Sequence, residues 1–235
     1  MYPPPELMGQ AGPVGGADLA QQRGTVAELA QICQAWGAAI GTLHTVSTRR
    51  APASLAPRPP VLSRRLYRPS MRDAASGSGY AAVLEAYESS PDLRAAAIEV
   101  DQRWTEQHWI HGNLSAATVL VEQQPALRVS FVGLEHAGLG DPAWDLASAV
   151  DTIIWLSPVW HAAAQPLVDY LIFGYRRAGG PGQLYPAIQA VCALATGLWV
   201  ADTPQQQIGQ EVELEFWLGR ARAYAARVGW LMAVA

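Results

Sequence analysis

Between Trp109 and Asp145 the chain reads WIHGNLSAATVLVEQQPALRVSFVGLEHAGLGDPAWD, and this window gathers His111, Asn113, Ser115, Thr118, Glu135, His136, Asp141 and Asp145. A hydroxyl nucleophile needs a base beside it, and His111 is the one base near Ser115 and Thr118. Glu135 and His136 are adjacent, so on a strand they face opposite ways and form no dyad. A His-Gly pair or a Gly-Asp-Pro met alone is ordinary turn chemistry. Here both occur in one stretch, in a fixed order, with alternating apolar runs between them.

Those runs supply the elements that must hold the side chains. The pattern predicts a short strand into a turn at His111-Gly112-Asn113, and a second strand through Val119-Leu120-Val121. A polar turn follows from Glu122 to Pro125, then a third strand from Leu127 to Leu134. Asp141-Pro142 opens a helix, with Asp as cap and Pro at the first helical position. That helix, Ala143 to Leu156, is apolar nearly all round and is expected to be buried, Asp151 included.

With its order and spacing, this stretch resembles the catalytic core of the aminoglycoside phosphotransferase and choline kinase family. Members carry His-Gly-Asp-x-x-x-x-Asn, an Ile-Asp-(Trp/Phe)-Glu strand and Gly-Asp-Pro-x-x-Asp-Leu-Ala. The resemblance implies that Asn113 stands where the family has its catalytic-base Asp, and Thr118 where it has a magnesium-binding Asn. Gly133 takes the place of the Asp that grips magnesium against the nucleotide phosphates. All three positions are changed, and phosphoryl transfer depends on a carboxylate near the attacking hydroxyl and on oxygen ligands for magnesium. The retained motif comprises His111, Gly112, Glu135, Asp141 and Asp145. Of these, His111 and Asp145 are expected to be buried, hydrogen-bonded residues that brace the loop.

Composition narrows the field further. The 235 residues are half hydrophobic, only 15% charged, and include nine Trp, which suits an interaction surface. A net charge of −4 argues against general nucleic-acid binding. No stretch reads as a membrane span or a signal peptide; the run Thr152 to Val168, free of Asp, Glu, Lys and Arg, is broken by Pro158, His161, Gln165 and Pro166. Cys33 and Cys192 are too few for a disulfide framework, and a reducing, cytoplasmic setting is expected. All sixteen basic residues are Arg. Kinase-like enzymes hold nucleotide phosphates with a strand Lys, and Arg presents a different fork.

Residues 1–24 are Pro- and Gly-rich and read as a flexible segment, too short for an N-terminal lobe. Residues 25–235 read as a phosphotransferase-like C-terminal lobe. Thr25-Val26-Ala27-Glu28 is a capping box, opening a helix with Val26, Leu29, Cys33, Trp36, Ile40 and Leu43 at helical spacing. It resembles the family's helix ending in Leu-His, here Leu43-His44, and His44 is expected to serve the helix dipole. A loop at 47–79 carries Arg49, Arg50, Arg58, Arg64, Arg65, Arg68 and Arg72 among prolines. Those arginines are the expected docking groups for an acidic peptide or partner protein, against a plain reading as solvated loop. Helices are expected over Tyr80 to Glu88, from Ser90-Pro91 onward, Ala162 to Arg177, Tyr185 to Val200 and Gln205 to Ala235.

The expected fold is therefore α+β, predominantly helical: a kinase-like C-terminal lobe around a small central β-hairpin, with the N-terminal lobe absent. Three functions compete. The first is a catalytically inactive relative acting as a binding or scaffold subunit, homo- or hetero-oligomeric, for a protein or peptide, with no cofactor, metal, nucleic acid or membrane. The second is a substrate-binding half completed by a partner's N-terminal lobe, with ATP or GTP and magnesium, acting on a hydroxyl of a small molecule or peptide. Its metal site would need Glu135 in place of Gly133. The third is unrelated chemistry using Glu135, His136, Asp141 or His161, for which no nucleophile stands in a recognisable setting.

Overall fold

Thr25 starts the first long helix by the reciprocal capping its sequence spells. Its N–H donates to Glu28 Oε2 at 2.7 Å, and the Glu28 N–H donates to Thr25 Oγ1 at 3.3 Å. The Thr25 N–H, with the Thr25 hydroxyl donating to the same Oε2 at 2.9 Å, holds the exposed Glu28 carboxyl below its usual range. The computed structural model describes residues 17–46, 77–123, 125–202 and 207–234. Among them are five strands and seven α-helices, and none of the helices is long and apolar enough to cross a membrane. The protein is α+β and predominantly helical, as its periodicities predict.

The chain divides into two compact units. The first draws on Met1–Pro57 and Thr105–Gln183, the second on Arg58–Trp104 and Leu184–Ala235. In the first, β1 (Ala17–Asp18), β3 (Val119–Glu122) and β4 (Arg128–Phe131) form an antiparallel sheet in the order β1-β3-β4. A second antiparallel pair joins β2 (His108–Ile110) to β5 (Gly138–Gly140), with Trp109 opposite Leu139. Three helices surround them: α1 (Val26–Thr45), α4 (Pro142–Leu156) and α5 (Ala164–Arg177).

Two expectations change here. Residues 17–24 belong to the segment read as flexible, yet Ala17 and Asp18 pair with Val121 and Leu120, and Leu19 is wholly buried. Burying a Leu side chain is worth roughly 1.5–3 kcal/mol, enough to hold so short a strand against β3. The third strand stops at Phe131 instead of Leu134, because Gly133 adopts φ +73 and turns the chain into a 3₁₀ turn over Leu134–His136.

The packing of α1 on α5 depends on close approach. A Cβ added to Gly37 would lie 1.9 Å from the Leu171 carbonyl oxygen, and one on Gly174 would lie 2.0 Å from the Gln34 carbonyl oxygen. Each helix thus uses a glycine to admit the other's backbone. The apolar stripe of α1, with Leu29, Ile32, Cys33, Trp36 and Ile40 buried, matches the sequence spacing, whereas Val26 is 55% exposed.

The second unit is helical: α2 (Gly77–Ser89), α3 (Pro91–Arg103), α6 (Pro186–Asp202) and α7 (Gln207–Val234). Helix α2 begins at Gly77, inside the loop expected over 47–79. Ser90 caps α3 by accepting the Leu93 N–H at 3.3 Å, with Pro91 at the first helical position. The Arg103 guanidinium lies 3.7 Å from the centre of the Tyr185 ring, a cation–π contact tying α3 to the residue before α6.

Candidate functional site

Asp141 opens α4, its Oδ1 accepting the Ala143 N–H at 2.9 Å, with Pro142 next. One turn on, that register buries Asp145 completely beneath the loop after β2. Its Oδ2 accepts the His111 N–H at 2.6 Å and its Oδ1 the Gly112 N–H at 2.9 Å. Trp144 Nε1 donates to the Gly112 carbonyl at 3.1 Å, so two consecutive residues of α4 grip one turn from both polarities. Ser148 Oγ, one turn further, donates to the Leu114 carbonyl.

The same carboxylate reaches α1. His44 Nε2 lies 3.1 Å from Asp145 Oδ2 and His44 Nδ1 lies 2.9 Å from the Tyr175 hydroxyl. Tyr175 in turn accepts the Gly182 N–H at 2.7 Å. Hydrogen counting gives one consistent direction: Gly182 N–H to Tyr175, Tyr175 O–H to His44 Nδ1, His44 Nε2–H to Asp145. Burial pushes the Tyr175 phenol well up; the Gly182 N–H opposes this, and the nearby Asp145 and Asp141 carboxylates add to it. His44 sits in the last turn of α1, as its position predicts, but at 1% exposure it bridges two buried groups instead of meeting solvent at the helix end.

His111 is fully buried, and both of its ring nitrogens are engaged. Nε2 lies 2.8 Å from the Val132 carbonyl, which only accepts, so Nε2 carries the proton. Nδ1 then accepts the Asn113 N–H at 3.3 Å. No lone pair is left for Ser115 or Thr118, which removes His111 as their base. Phe131 packs edge-on to the ring at 5.8 Å.

Three positions face outward around this braced turn. Asn113 is half-buried, and its carboxamide makes no hydrogen bond to a described residue. Thr118 Oγ1 accepts the Ser115 N–H at 2.8 Å and has the Asn113 and Ser115 carbonyls at 3.2 and 3.1 Å as acceptors for its proton. The hydroxyl is thus consumed by its own turn. Gly133 offers no side chain, and a Cβ there would lie 3.2 Å from Thr118 Cγ2 and 3.6 Å from Glu135 Oε1. Thr118, Gly133 and Glu135 therefore come together, but through the 3₁₀ turn and not through the strand alternation expected of Gly133 and Glu135. Glu135 and His136 are both exposed. Among the described residues no three His, Cys, Asp or Glu side chains converge as metal ligands. His161, in the left-handed region at φ 51 after α4, is exposed and outside this cluster. The seven arginines from Arg49 to Arg72 lie outside the described residues.

Sequence reasoning missed Tyr175 altogether. The available signal was the Leu43-His44 pair, whose partners lie 101 and 131 positions away.

Residues 12–180 match the family model described as the phosphotransferase enzyme family, APH, which is more than half of the chain. The chain belongs to that family. No curated protein matches it. Among solved structures, this phosphotransferase-family chain is similar to a choline/ethanolamine kinase family protein from Mesorhizobium loti, with a TM-score of 0.51 and 18% identity. That match covers 84% of this chain and 64% of the other, so the chain spans about two thirds of its relative's length. Spectinomycin phosphotransferase APH(9)-Ia, solved with ADP and spectinomycin, is similar with a TM-score of 0.49, 12% identity, and coverage of 90% of this chain and 69% of that one. At 18% identity the first likeness is one of fold, and it assigns the mostly helical α+β chain to the kinase-like folds.

Proposed function

We propose that this phosphotransferase-family chain has kept the family's scaffold without its chemistry, and that it works as a binding subunit for a protein or peptide partner. One observation carries the reading. The three positions that would do the chemistry hold an amide, a hydroxyl spent on its own turn and a glycine, while the buried Asp145 behind them still accepts the His111 and Gly112 N–H groups.

Magnesium and a nucleotide, which the family implies, do not fit these residues. Asn113 has no carboxylate to take a proton, Thr118 Oγ1 is occupied, and Gly133 supplies no side-chain oxygen. Restoring an Asp at 133 meets a backbone at φ +73 and the Glu135 carboxylate already lying over it. Losing a base and its metal ligands costs several decades of rate, each about 1.4 kcal/mol of barrier. The buried Cys33 and Cys192, neither in a disulfide, suit a reducing compartment such as the cytoplasm.

A second reading draws on the 64% span of the choline/ethanolamine kinase relative: a substrate-binding half completed by another chain. Calorimetric titration with ATP and GTP, with and without magnesium, separates the two. The binding-subunit reading expects no nucleotide heat from the chain alone or mixed with a co-purifying partner. Magnesium-dependent heat from the chain alone overturns it, and heat that appears only with the partner selects the completed site.

A further inference from the structure

Away from the braced turn, α1 and α5 border a cleft of about 470 Å³, within the roughly 300–1,000 Å³ of ligand-binding clefts. Gln31, Gln34, Ala35 and Ala38 form its α1 wall. They recur at helical i, i+3, i+4 and i+7 spacing, one continuous face about 10 Å long at 1.5 Å per residue. Gly174, Ala178 and Leu127 form the other side, so the floor is apolar, with Leu127 its one large side chain.

The polar groups at its edge are uncommitted. The side chains of Gln31 and Gln34 make no hydrogen bond to a described residue, and the exposed Arg177 makes no ion pair with one. Among the described residues no carboxylate lines the cleft. It therefore combines a guanidinium, two carboxamides and a shallow apolar floor.

We infer that this cleft is a docking site for a short, extended acidic peptide segment. The inference rests on reading the chain as a binding subunit and names where and what it binds. A face of about 10 Å matches three residues of extended chain at roughly 3.3 Å each. Carboxamides donate to and accept from a peptide backbone, and Ala35, Ala38, Ala178 and Leu127 give its side chains apolar contact. Arg177 takes a carboxylate in a paired, charge-assisted hydrogen bond. An extended segment with one acidic side chain satisfies all three elements; a basic or bulky one does not.

Fluorescence anisotropy tests this on the full chain with two labelled peptides, one alternating alanine with aspartate and glutamate, the other with asparagine and glutamine. The acidic peptide is expected to bind saturably, with its amide analogue at least about tenfold weaker. Arg177→Ala should weaken binding about tenfold or more, and Ala38→Trp should block the floor. Gln31→Glu, at an exposed edge where folding is not at stake, should also weaken the acidic peptide and spare the amide analogue. Equal affinity for both peptides, no binding, or acidic-peptide binding unchanged in Arg177→Ala and Gln31→Glu overturns the proposal. The two readings fail separately, since nucleotide heat decides the first and peptide discrimination decides this one.

Discussion

The imidazole of His44 meets the carboxylate of Asp145 at 3.1 Å across 101 positions of chain, with both side chains fully buried. Through that contact α1 reaches the turn after β2 without touching the three outward positions. Asp145→Asn keeps the shape but sets an NH₂ against at least one of three donors, those of His111, Gly112 and His44. A loss of about 2–4 kcal/mol is expected, read as a lower urea midpoint at unchanged slope.

Removing the Tyr175 hydroxyl strands two partners at once, the Gly182 N–H and His44 Nδ1. Tyr175→Phe should therefore cost about 1–3 kcal/mol in the same assay. An effect below about 0.5 kcal/mol would show that water satisfies both.

Asn113→Asp should be nearly silent in stability, within about 0.5 kcal/mol, because the carboxamide bonds to no described residue. Thermal denaturation beside Asp145→Asn makes the contrast direct. A large loss at Asn113 would mean the outward positions also support the turn.

The alkaline limb of stability is legible because the chain has no lysine. Burial pushes the Cys33 thiol from an ordinary 9.0 up to about 12. A group with a raised folded pKa binds its proton more tightly when folded, so its contribution is complete below pH 9.0 and is lost as pH rises toward about 12. Tyr175, raised in the same direction, adds its own decline from pH 10.0 upward. Cys33→Ala should remove up to one proton's slope, roughly 1.4 kcal/mol per pH unit, between those limits. Urea midpoints measured across that range check it.

Gly37→Ala and Gly174→Ala each place a methyl within 2.0 Å of a backbone oxygen. Each should cost about 3 kcal/mol or more, since backbone cannot step aside as a side chain can. Trp36, fully buried on α1, should report the opening as a red-shifted fluorescence spectrum. An unshifted spectrum with native stability would mean the helices slide without separating.

Local signals were legible in sequence because local physics decides them. Thr25 with Glu28, Ser90 with Pro91, and Asp141 with Pro142 all cap helices where their spacing said they would. The β3–β4 hairpin follows its alternation, with Val119 opposite Phe131. Long-range pairing decided the rest. Nothing local marks Ala17-Asp18 as a strand, since its partner lies beyond position 119. A run ending in Val132-Gly133-Leu134 reads as strand until the φ of Gly133 is known. His44 looked like a helix end because Tyr175 and Asp145 come to it from other helices.

The crossing of α1 and α5 also fixes which kinds of drift the protein survives. Any other residue at a glycine position brings a side chain at least as large as a methyl, and positions 37 and 174 have room for none. Asn113 and Thr118 carry no such steric veto. Reactive groups can turn over across generations while the two glycines stay closed to change, so a lineage could part with its chemistry and still inherit its architecture.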